Sequence, residues 1–281
     1  MDRRTFLLSA GAVGLAACAK PERDLLDAYE GTSLTLEPGN PPPASSTSAG
    51  VVVVDDDELE PEADPVESPY PVSVPEEDLP GLVFIAEATA PTVVAHQALG
   101  TGDATWSFAN PIASGGPLVF VVEEFDGLDN FRVLLPTRPN GSFGWIAAAD
   151  IQLKRHNYRI LVELDAFHLT VFDHDAAIFD TEVGVARENT PTPQGRYYTT
   201  ELLRPPAAHS VYGDFAYGLS GYSDVLTEFA GGPGQLGIHG TNDPDTIGTN
   251  VSSGCIRLRN ADISHLVEDI GLPTGVPVEV V

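Results

Sequence analysis

The chain of 281 residues carries 41 acidic and 14 basic side chains, which gives a formal net charge of −27 at pH 7. A protein this acidic repels phosphate backbones and anionic lipid headgroups, so we expect no nucleic-acid partner. Only two cysteines are present, Cys18 and Cys255. A structural zinc site built from several cysteines is therefore excluded.

Residues 1–17 have the pattern of an export signal. An Arg-Arg-x-Phe-Leu motif of the twin-arginine type occupies residues 3–7, and the apolar run at 9–15 is shorter than the roughly 20 residues that span a bilayer. The run ends in Leu15-Ala-Ala-Cys18, which resembles a bacterial lipobox. This implies lipidation of Cys18 and anchoring to the outer face of the cytoplasmic membrane, facing the cell wall. An ordinary signal peptide with an incidental Cys18 is the alternative.

Residues 18–80 are predicted to form a disordered tether. They are rich in proline, serine and acidic residues, as in Pro41-Pro-Pro43 and Asp55-Asp-Asp-Glu58. Such a composition buries too little apolar surface to offset chain entropy. Because charge repulsion and proline extend a linker, we expect the folded part to reach away from the membrane.

Residues 81–153 are predicted to form a small β domain. Short apolar runs separated by turn signals predict strands at 83–85, 93–95, 119–122, 131–135 and 144–146. The segment 131–146 with Asp150 resembles the end of a bacterial SH3-like domain, which implies a small β-barrel. Trp106 and Trp145 either stack on a ligand or fill the core, so wall binding by this domain stays a hypothesis.

Residues 157–281 are predicted to form a second β-rich domain. Alternating apolar residues predict strands at 158–164, 168–172, 176–179, 181–185 and 276–281. The prolines of 190–195 predict a loop. The glycine-rich and aromatic-rich segment 205–234 is predicted to be a long covering loop, whose aromatic side chains either line a groove or fill the core.

One helix is predicted after Cys255. Ile263, Leu266 and Ile270 recur at helical spacing. Asn260 is expected to cap its start and Gly271 to end it. We expect this helix to pack on the sheet and support the segment around the cysteine.

The segment 238–258 brings together residue types used in thiol catalysis. A cysteine acts as a nucleophile only as thiolate, so it needs a base and donors for the oxyanion. His239 precedes Cys255 by 16 residues, with turn-forming residues between them, and Gly254 allows close approach of backbone amides. From residue types alone, a buried structural cysteine and a core histidine remain the alternative.

Two runs carry a family resemblance. His239-Gly-Thr241 followed by Ser252-Ser-Gly-Cys-Ile-Arg257 resembles the signature of the L,D-transpeptidase (YkuD-type) catalytic domain, and the match extends to 190–195 and 231–240. It covers roughly residues 157 to 281. The family often has a histidine at the position of Ser253, whereas its base matches His239. Together, the resemblances imply a mainly β protein, a small SH3-like β-barrel followed by a YkuD-type domain with one or two short helices.

The resemblance implies acyl transfer between peptidoglycan stem peptides, which serve as donor and acceptor. Cys255 would form a thioester and His239 would move the protons, while backbone amides near Gly254 and Cys255 would bind the oxyanion. The expected outcome is a 3→3 cross-link. The alternatives are transfer to water, which makes the protein an L,D-carboxypeptidase, or to a protein amine, and a non-catalytic wall-binding lipoprotein.

Four further residues are predicted to contact substrate. Ser252 either binds substrate or holds its loop, and Arg257 pairs either with a substrate carboxylate or with an internal acid such as Asp262. Ser253 and Gly240 complete the set. The remaining histidines lack close ligand spacing, so we predict no metal and no cofactor.

Overall fold

The computed structural model describes residues 81–99, 104–205, 210–228 and 232–281. All of them lie within one compact unit. The predicted export signal, the lipidation site at Cys18 and the tether lie outside these residues. The described part is mainly β, with one short α-helix. None of the helices described is both long and apolar enough to span a bilayer.

The first part of the described chain forms a seven-stranded sheet in the order β3-β2-β6-β5-β4-β1-β7. Its strands are β1 (Val83–Ala88), β2 (Thr92–His96), β3 (Ala104–Ala109), β4 (Val119–Phe125), β5 (Asn130–Leu134), β6 (Phe143–Ala147) and β7 (Ile151–His156). A 3-10 turn, Ala148–Asp150, separates the last two. The five predicted strands are present, and Trp106 packs against the core of this sheet. The SH3-like identity of this part stays a prediction.

The rest of the chain forms an eight-stranded sheet in the order β10-β9-β8-β17-β12-β13-β14-β16, and β11 pairs with β15. These strands are β8 (Tyr158–Glu163), β9 (His168–Asp173), β10 (Ala176–Glu182), β11 (Val185–Ala186), β12 (Gly195–Leu203), β13 (Ala216–Tyr222), β14 (Gln235–His239), β15 (Asn250–Ser252), β16 (Ile256–Arg257) and β17 (Pro277–Val280). The C-terminal strand β17 lies inside the sheet, parallel to β8 and antiparallel to β12.

The prediction of an uninterrupted loop over 205–234 is wrong, because strand β13 lies in its middle. The sequence did not predict this strand because it contains two glycines. Glycine is unfavourable in a strand unless another group lies over it. A Cβ on Gly221 would collide with the ring of Tyr197, and one on Gly218 would lie 2.8 Å from Glu201 Cγ. Gly221 is therefore required by the Tyr197 ring of the neighbouring strand β12, and Gly218 is closely covered by the flexible Glu201 side chain of the same strand.

The helix after the cysteine starts where it was predicted, but only its first part is α-helical. Helix α1 (Asn260–Ser264) runs into a π-helical turn (His265–Asp269), and the apolar side chains of Ile263 and Leu266 are buried in the core of the second sheet. The capping role predicted for Asn260 is wrong, because the residue before the helix is Arg259 and no side chain caps the helix. Gly271 follows the turn with a φ of 70°, as predicted for a helix end.

The two sheets share a buried apolar cluster. Ile85, Val119, Val121 and Leu134 of the first sheet pack together with Tyr198 of β12, which is fully buried. The Tyr198 hydroxyl donates a hydrogen bond of 3.1 Å to the Val119 carbonyl. Packing of this kind fixes the first sheet against strand β12 of the second.

Candidate active site

The register of two strands places the candidate nucleophile and base together. Strands β14 and β16 are parallel, with Ile238 beside Ile256 and His239 beside Arg257. Both isoleucines are fully buried on one face. Because side chains alternate along a strand, His239 and Arg257 project from the opposite face, and Cys255, just before β16, projects with them.

These residues, which include the predicted nucleophile Cys255 and the predicted base His239, line one cleft. Its lining consists of Val211, Tyr212, Ser223, Leu226, Gly234, Gln235, Leu236, His239, Ser252, Ser253, Gly254, Cys255 and Arg257. Three chain segments therefore meet at the thiol: the loop before β13, the loop between β13 and β14, and the turn before β16.

Cys255 is a free, partly exposed cysteine. Gly237 lies beside the sulfur, since a Cβ built there would be in ordinary contact with Sγ at 3.9 Å. Burial raises the pKa of the Cys255 thiol, while a hydrogen bond from the Gly237 backbone and the charge of Arg257 act in the opposite direction. The net shift is upward, so the thiol is protonated in the resting site.

His239 is buried and held in one tautomer. Its Nδ1 lies 2.6 Å from the Gly240 carbonyl oxygen. Because a carbonyl only accepts hydrogen bonds, Nδ1 carries the proton and Nε2 is free to take one. Burial lowers the pKa of His239 to about 4, with the charge of Arg257 adding to the effect, so the imidazole is neutral at pH 7. The Tyr212 ring packs against it in a T-shaped arrangement, with ring centroids 5.0 Å apart.

A hydroxyl organises the turn that presents Cys255. Ser252 Oγ donates to the Cys255 carbonyl at 2.6 Å and accepts from the Gly254 N–H at 3.2 Å. Thr192 Oγ1 donates to the Gly254 carbonyl at 2.8 Å. Ser252 is 1% exposed and its hydrogen bonds are used, so of its two predicted roles it holds the loop.

One of the two backbone amides predicted as oxyanion donors is taken by the Ser252 hydroxyl. The Gly254 N–H is taken by Ser252 Oγ, whereas the Cys255 N–H donates to no acceptor among the described residues. Of the two amides predicted to bind the oxyanion, that of Gly254 is thus occupied in this structure, and that of Cys255 is available. Gly254 has a φ of 135°, a conformation that favours glycine.

Arg257 is a cation without a counter-ion in the described part of the chain. Its Nε is buried and has no hydrogen-bond partner there. The internal partner considered from the sequence, Asp262, accepts instead from Thr181 Oγ1 at 2.8 Å. A buried, unpaired guanidinium nitrogen at a cleft is suited to bind an anionic oxygen of a ligand.

The other two predicted substrate contacts have different outcomes. Gly240 is buried, its N–H donates to the Phe215 carbonyl at 3.1 Å, and its own carbonyl holds His239. Gly240 therefore has no free polar group for a substrate, because its N–H is bonded to Phe215 and its carbonyl to the base. Ser253 is partly exposed and lines the cleft.

Sequence reasoning missed Tyr212, Thr192 and Asn260. Of the aromatic residues left open between groove and core, Tyr212 lines the cleft, whereas Phe215 and Tyr217 are buried in the core. The Asn260 Oδ1 accepts from the Thr241 N–H at 3.0 Å and so ties α1 to the turn after His239. Polar residue type was the available signal for Asn260, and it pointed to a helix cap instead.

Comparison with known proteins identifies relatives of the second sheet. Residues 157–280 match the family model of the L,D-transpeptidase catalytic domain, YkuD. A Bacillus licheniformis protein assigned as the L,D-transpeptidase YkuD is 31% identical over 123 residues, which cover 44% of this chain and 65% of that protein. A Bacillus subtilis protein assigned likewise is 34% identical over 124 residues, with the same 44% and 65% coverage. The chain thus spans slightly less than two thirds of the length of these curated relatives.

A solved structure, that of Bdellovibrio bacteriovorus Bd1075, is 26% identical in sequence. The match covers 45% of this chain and 48% of the Bd1075 chain, with a TM-score of 0.35. The sequence matches give the C-terminal part of the chain, residues 157–280, its relation to L,D-transpeptidase catalytic domains. They include both Cys255 and His239.

Proposed function

We propose that this chain is a peptidoglycan L,D-transpeptidase that forms 3→3 cross-links through a thioester on Cys255. The observation that carries the proposal is the shared cleft: a thiol, an imidazole held in one tautomer and an unpaired guanidinium project from one face of β14 and β16. These residues lie within the segment that matches the L,D-transpeptidase catalytic domain.

In the first half-reaction, Cys255 Sγ attacks the carbonyl that links the third stem residue, a diamino acid, to the terminal D-alanine. His239 Nε2 accepts the thiol proton as the sulfur–carbon bond forms. The oxyanion of the tetrahedral intermediate is stabilised by the Cys255 N–H. When the intermediate collapses, the carbon–nitrogen bond breaks and the imidazolium gives its proton to the departing D-alanine amine.

In the second half-reaction, the side-chain amine of a diamino acid on another stem attacks the thioester. Nε2 takes a proton from this amine, and the carbon–sulfur bond breaks as the amide forms. The same imidazolium returns the proton to Cys255, which restores the resting thiol. Because the His239 pKa is low, its protonated form is a strong acid and gives up the proton readily in both steps.

Arg257 is proposed to bind the terminal carboxylate of the donor stem. Pairing would supply the buried Nε with an acceptor and neutralise a cation that has no counter-ion in the described residues. It would also remove part of the positive field that lowers the His239 pKa. Binding of donor would then make the imidazole a better base at the moment it is needed.

Intact-mass spectrometry with a tetrapeptide stem tests this function. We expect an adduct on the protein equal in mass to the stem minus D-alanine, and no adduct with Cys255→Ala. His239→Gln keeps the thiol and a neutral side chain, and it should slow acylation by at least about 100-fold. Turnover that survives in Cys255→Ala contradicts the nucleophile assignment.

The acceptor is tested separately by adding a second stem to the acylated protein. A cross-linked dimer supports the transpeptidase, whereas release of tripeptide at the same rate without acceptor supports a carboxypeptidase. Absence of any adduct with the wild-type protein would favour the wall-binding alternative.

Export and lipidation at Cys18 are proposed as the route to the cell wall, on the strength of the sequence pattern at residues 3–18. Labelled fatty acid supplied to cells should be incorporated into the wild-type protein and not into Cys18→Ala. Equal labelling of both proteins would contradict lipidation at this residue.

A further inference from the structure

The loop between β5 and β6, residues 135–142, contacts the loop that forms one side of the cleft. Arg138 Nη1 donates to the Pro233 carbonyl at 3.0 Å, and its Nη2 donates to the carbonyls of Ser223 at 2.9 Å and Leu226 at 3.2 Å. One guanidinium therefore binds both arms of the loop between β13 and β14. A guanidinium suits this position because its N–H groups form a rigid, planar fork.

A second residue of the same loop fixes the start of the cleft wall. Asn140 Nδ2 donates to the Tyr222 carbonyl at 2.7 Å, and the Tyr222 N–H donates to Asn140 Oδ1 at 2.8 Å. The Tyr222 hydroxyl donates to the Pro136 carbonyl at 3.1 Å, and its ring lies 4.6 Å from Arg138 Cζ. The Asn140 amide thus binds the backbone of Tyr222 as a neighbouring strand would.

The segment held in this way faces Cys255. Ser223, Leu226 and Gly234 line the cleft together with the nucleophile. The two arms of the segment also bind each other, since the Ser223 N–H donates to the Gly234 carbonyl at 2.9 Å. A shift of either arm therefore changes the shape of the cleft directly.

We infer that the β5–β6 loop is part of the catalytic apparatus, with Arg138 and Asn140 acting as positioning residues that shape the cleft wall for the stem peptide. The inference rests on the proposed function and adds to it a role for the first sheet. Neither residue lines the cleft, so both act through Tyr222, Ser223, Leu226 and Pro233. Substrate binding should depend on them, whereas the reactivity of the thiol should not.

The test compares Arg138→Ala and Asn140→Ala with the wild type in the full-length chain. We expect the KM for the tetrapeptide stem to rise about tenfold or more, because small displacements of positioning groups cost large factors, with kcat within about threefold. Alkylation of Cys255 by iodoacetamide should be unchanged, because this small reagent does not depend on contacts with the wall of the cleft. Amide hydrogen exchange should accelerate in residues 222–228 and 232–235. Arg138→Lys should recover part of the KM effect.

Arg132→Ala is the matched control. Arg132 lies on β5, where its Nη1 is 3.8 Å from Glu124 Oε2 and its Cζ is 4.5 Å from the centroid of the Phe143 ring. Among the described residues, it makes no contact with the cleft wall. It should leave both KM and exchange unchanged. An unaltered KM in both alanine variants overturns the inference, as does a marked rise in Cys255 alkylation, because general unfolding would expose the partly buried thiol. If the wild type forms no acyl-enzyme, the proposed function fails, and the exchange measurement alone decides whether the loop holds the wall.

Discussion

At the scale of single residues, the site holds a neutral thiol beside a neutral imidazole. The Cys255 pKa is raised above its ordinary value of 9.0, and that of His239 is lowered to about 4, in both cases mainly by burial. A thiolate–imidazolium pair would require the opposite shifts. In the proposed reaction, proton transfer to His239 would then accompany the attack on substrate, as general-base catalysis.

Substitution of Arg257 tests directly whether the resting thiol and imidazole are both neutral. Its charge favours the thiolate, so Arg257→Met should raise the pKa of Cys255 further and displace the pH profile of alkylation upward by roughly one unit. Iodoacetamide rates measured from pH 7 to pH 10.5 provide the profile. The control is Arg259→Met, since Arg259 is partly exposed and pairs with Glu182 at 2.9 Å. A wild-type profile with its midpoint below pH 8 would contradict the neutral resting pair.

At the scale of elements, the start of helix α1 fixes the turn that follows His239. The Asn260 side chain accepts the Thr241 N–H at 3.0 Å and leaves no room for a Cβ on either Gly213 or Gly240. It therefore joins the loop that carries Tyr212 to the turn that holds the imidazole. This explains why a polar residue occupies the first turn of the helix without capping it.

Removing this contact should affect stability and activity together. Asn260→Ala leaves the Thr241 N–H without its partner, which should cost about 1–3 kcal/mol of unfolding free energy, and displacement of His239 should slow acylation about tenfold. Asn260→Asp retains an acceptor oxygen of the same reach and should lose much less. Denaturant unfolding and acyl-enzyme formation measure the two effects. An alanine variant with wild-type stability and rate would contradict this role.

Local patterns predicted most elements, because strand alternation and helical spacing are properties of neighbouring residues. They gave β1, β8 and the spacing of Ile263 and Leu266, whereas the pairing of Cys255 with His239 was predicted from the family resemblance. Local patterns failed where the local structure depends on a side chain that is distant in the sequence. Strand β13 contains glycines because Tyr197 lies over it, and Ser252 was left open because only the folded turn shows where its hydroxyl points.

At the scale of the whole molecule, the described part of the chain forms two sheets within one compact unit. Strand β7 ends at His156 and β8 begins at Tyr158, so only Asn157 separates them. The junction is further held by Tyr198 and by an ion pair between Arg196 and Glu123 at 2.7 Å. Such long-range contacts have no signature in a local sequence window, which is why the sequence suggested two separate parts.

His156, which lies at this junction, should make the stability of the protein sensitive to acid. His156 Nδ1 accepts from the Tyr158 N–H at 3.1 Å, and Nε2 lies 3.3 Å from the Gly275 carbonyl. Burial lowers the pKa of His156 from 6.5 to about 4, as it does for His239. The unfolded chain therefore binds protons first as the pH falls. Stability is full above pH 6.5 and is lost between pH 6.5 and pH 4, by up to about 3 kcal/mol for each histidine.

His156→Gln tests this, because glutamine is polar but does not titrate. The variant should be less stable than the wild type at pH 7, since it loses part of the junction, yet its free energy of unfolding should fall by about 3 kcal/mol less on going from pH 7 to pH 4. Denaturant unfolding of both proteins at pH 7, 5.5 and 4 measures the slope independently of the starting stability. Equal slopes would mean that His156 has the same pKa in the folded and unfolded chain, and that the junction admits a charged imidazole.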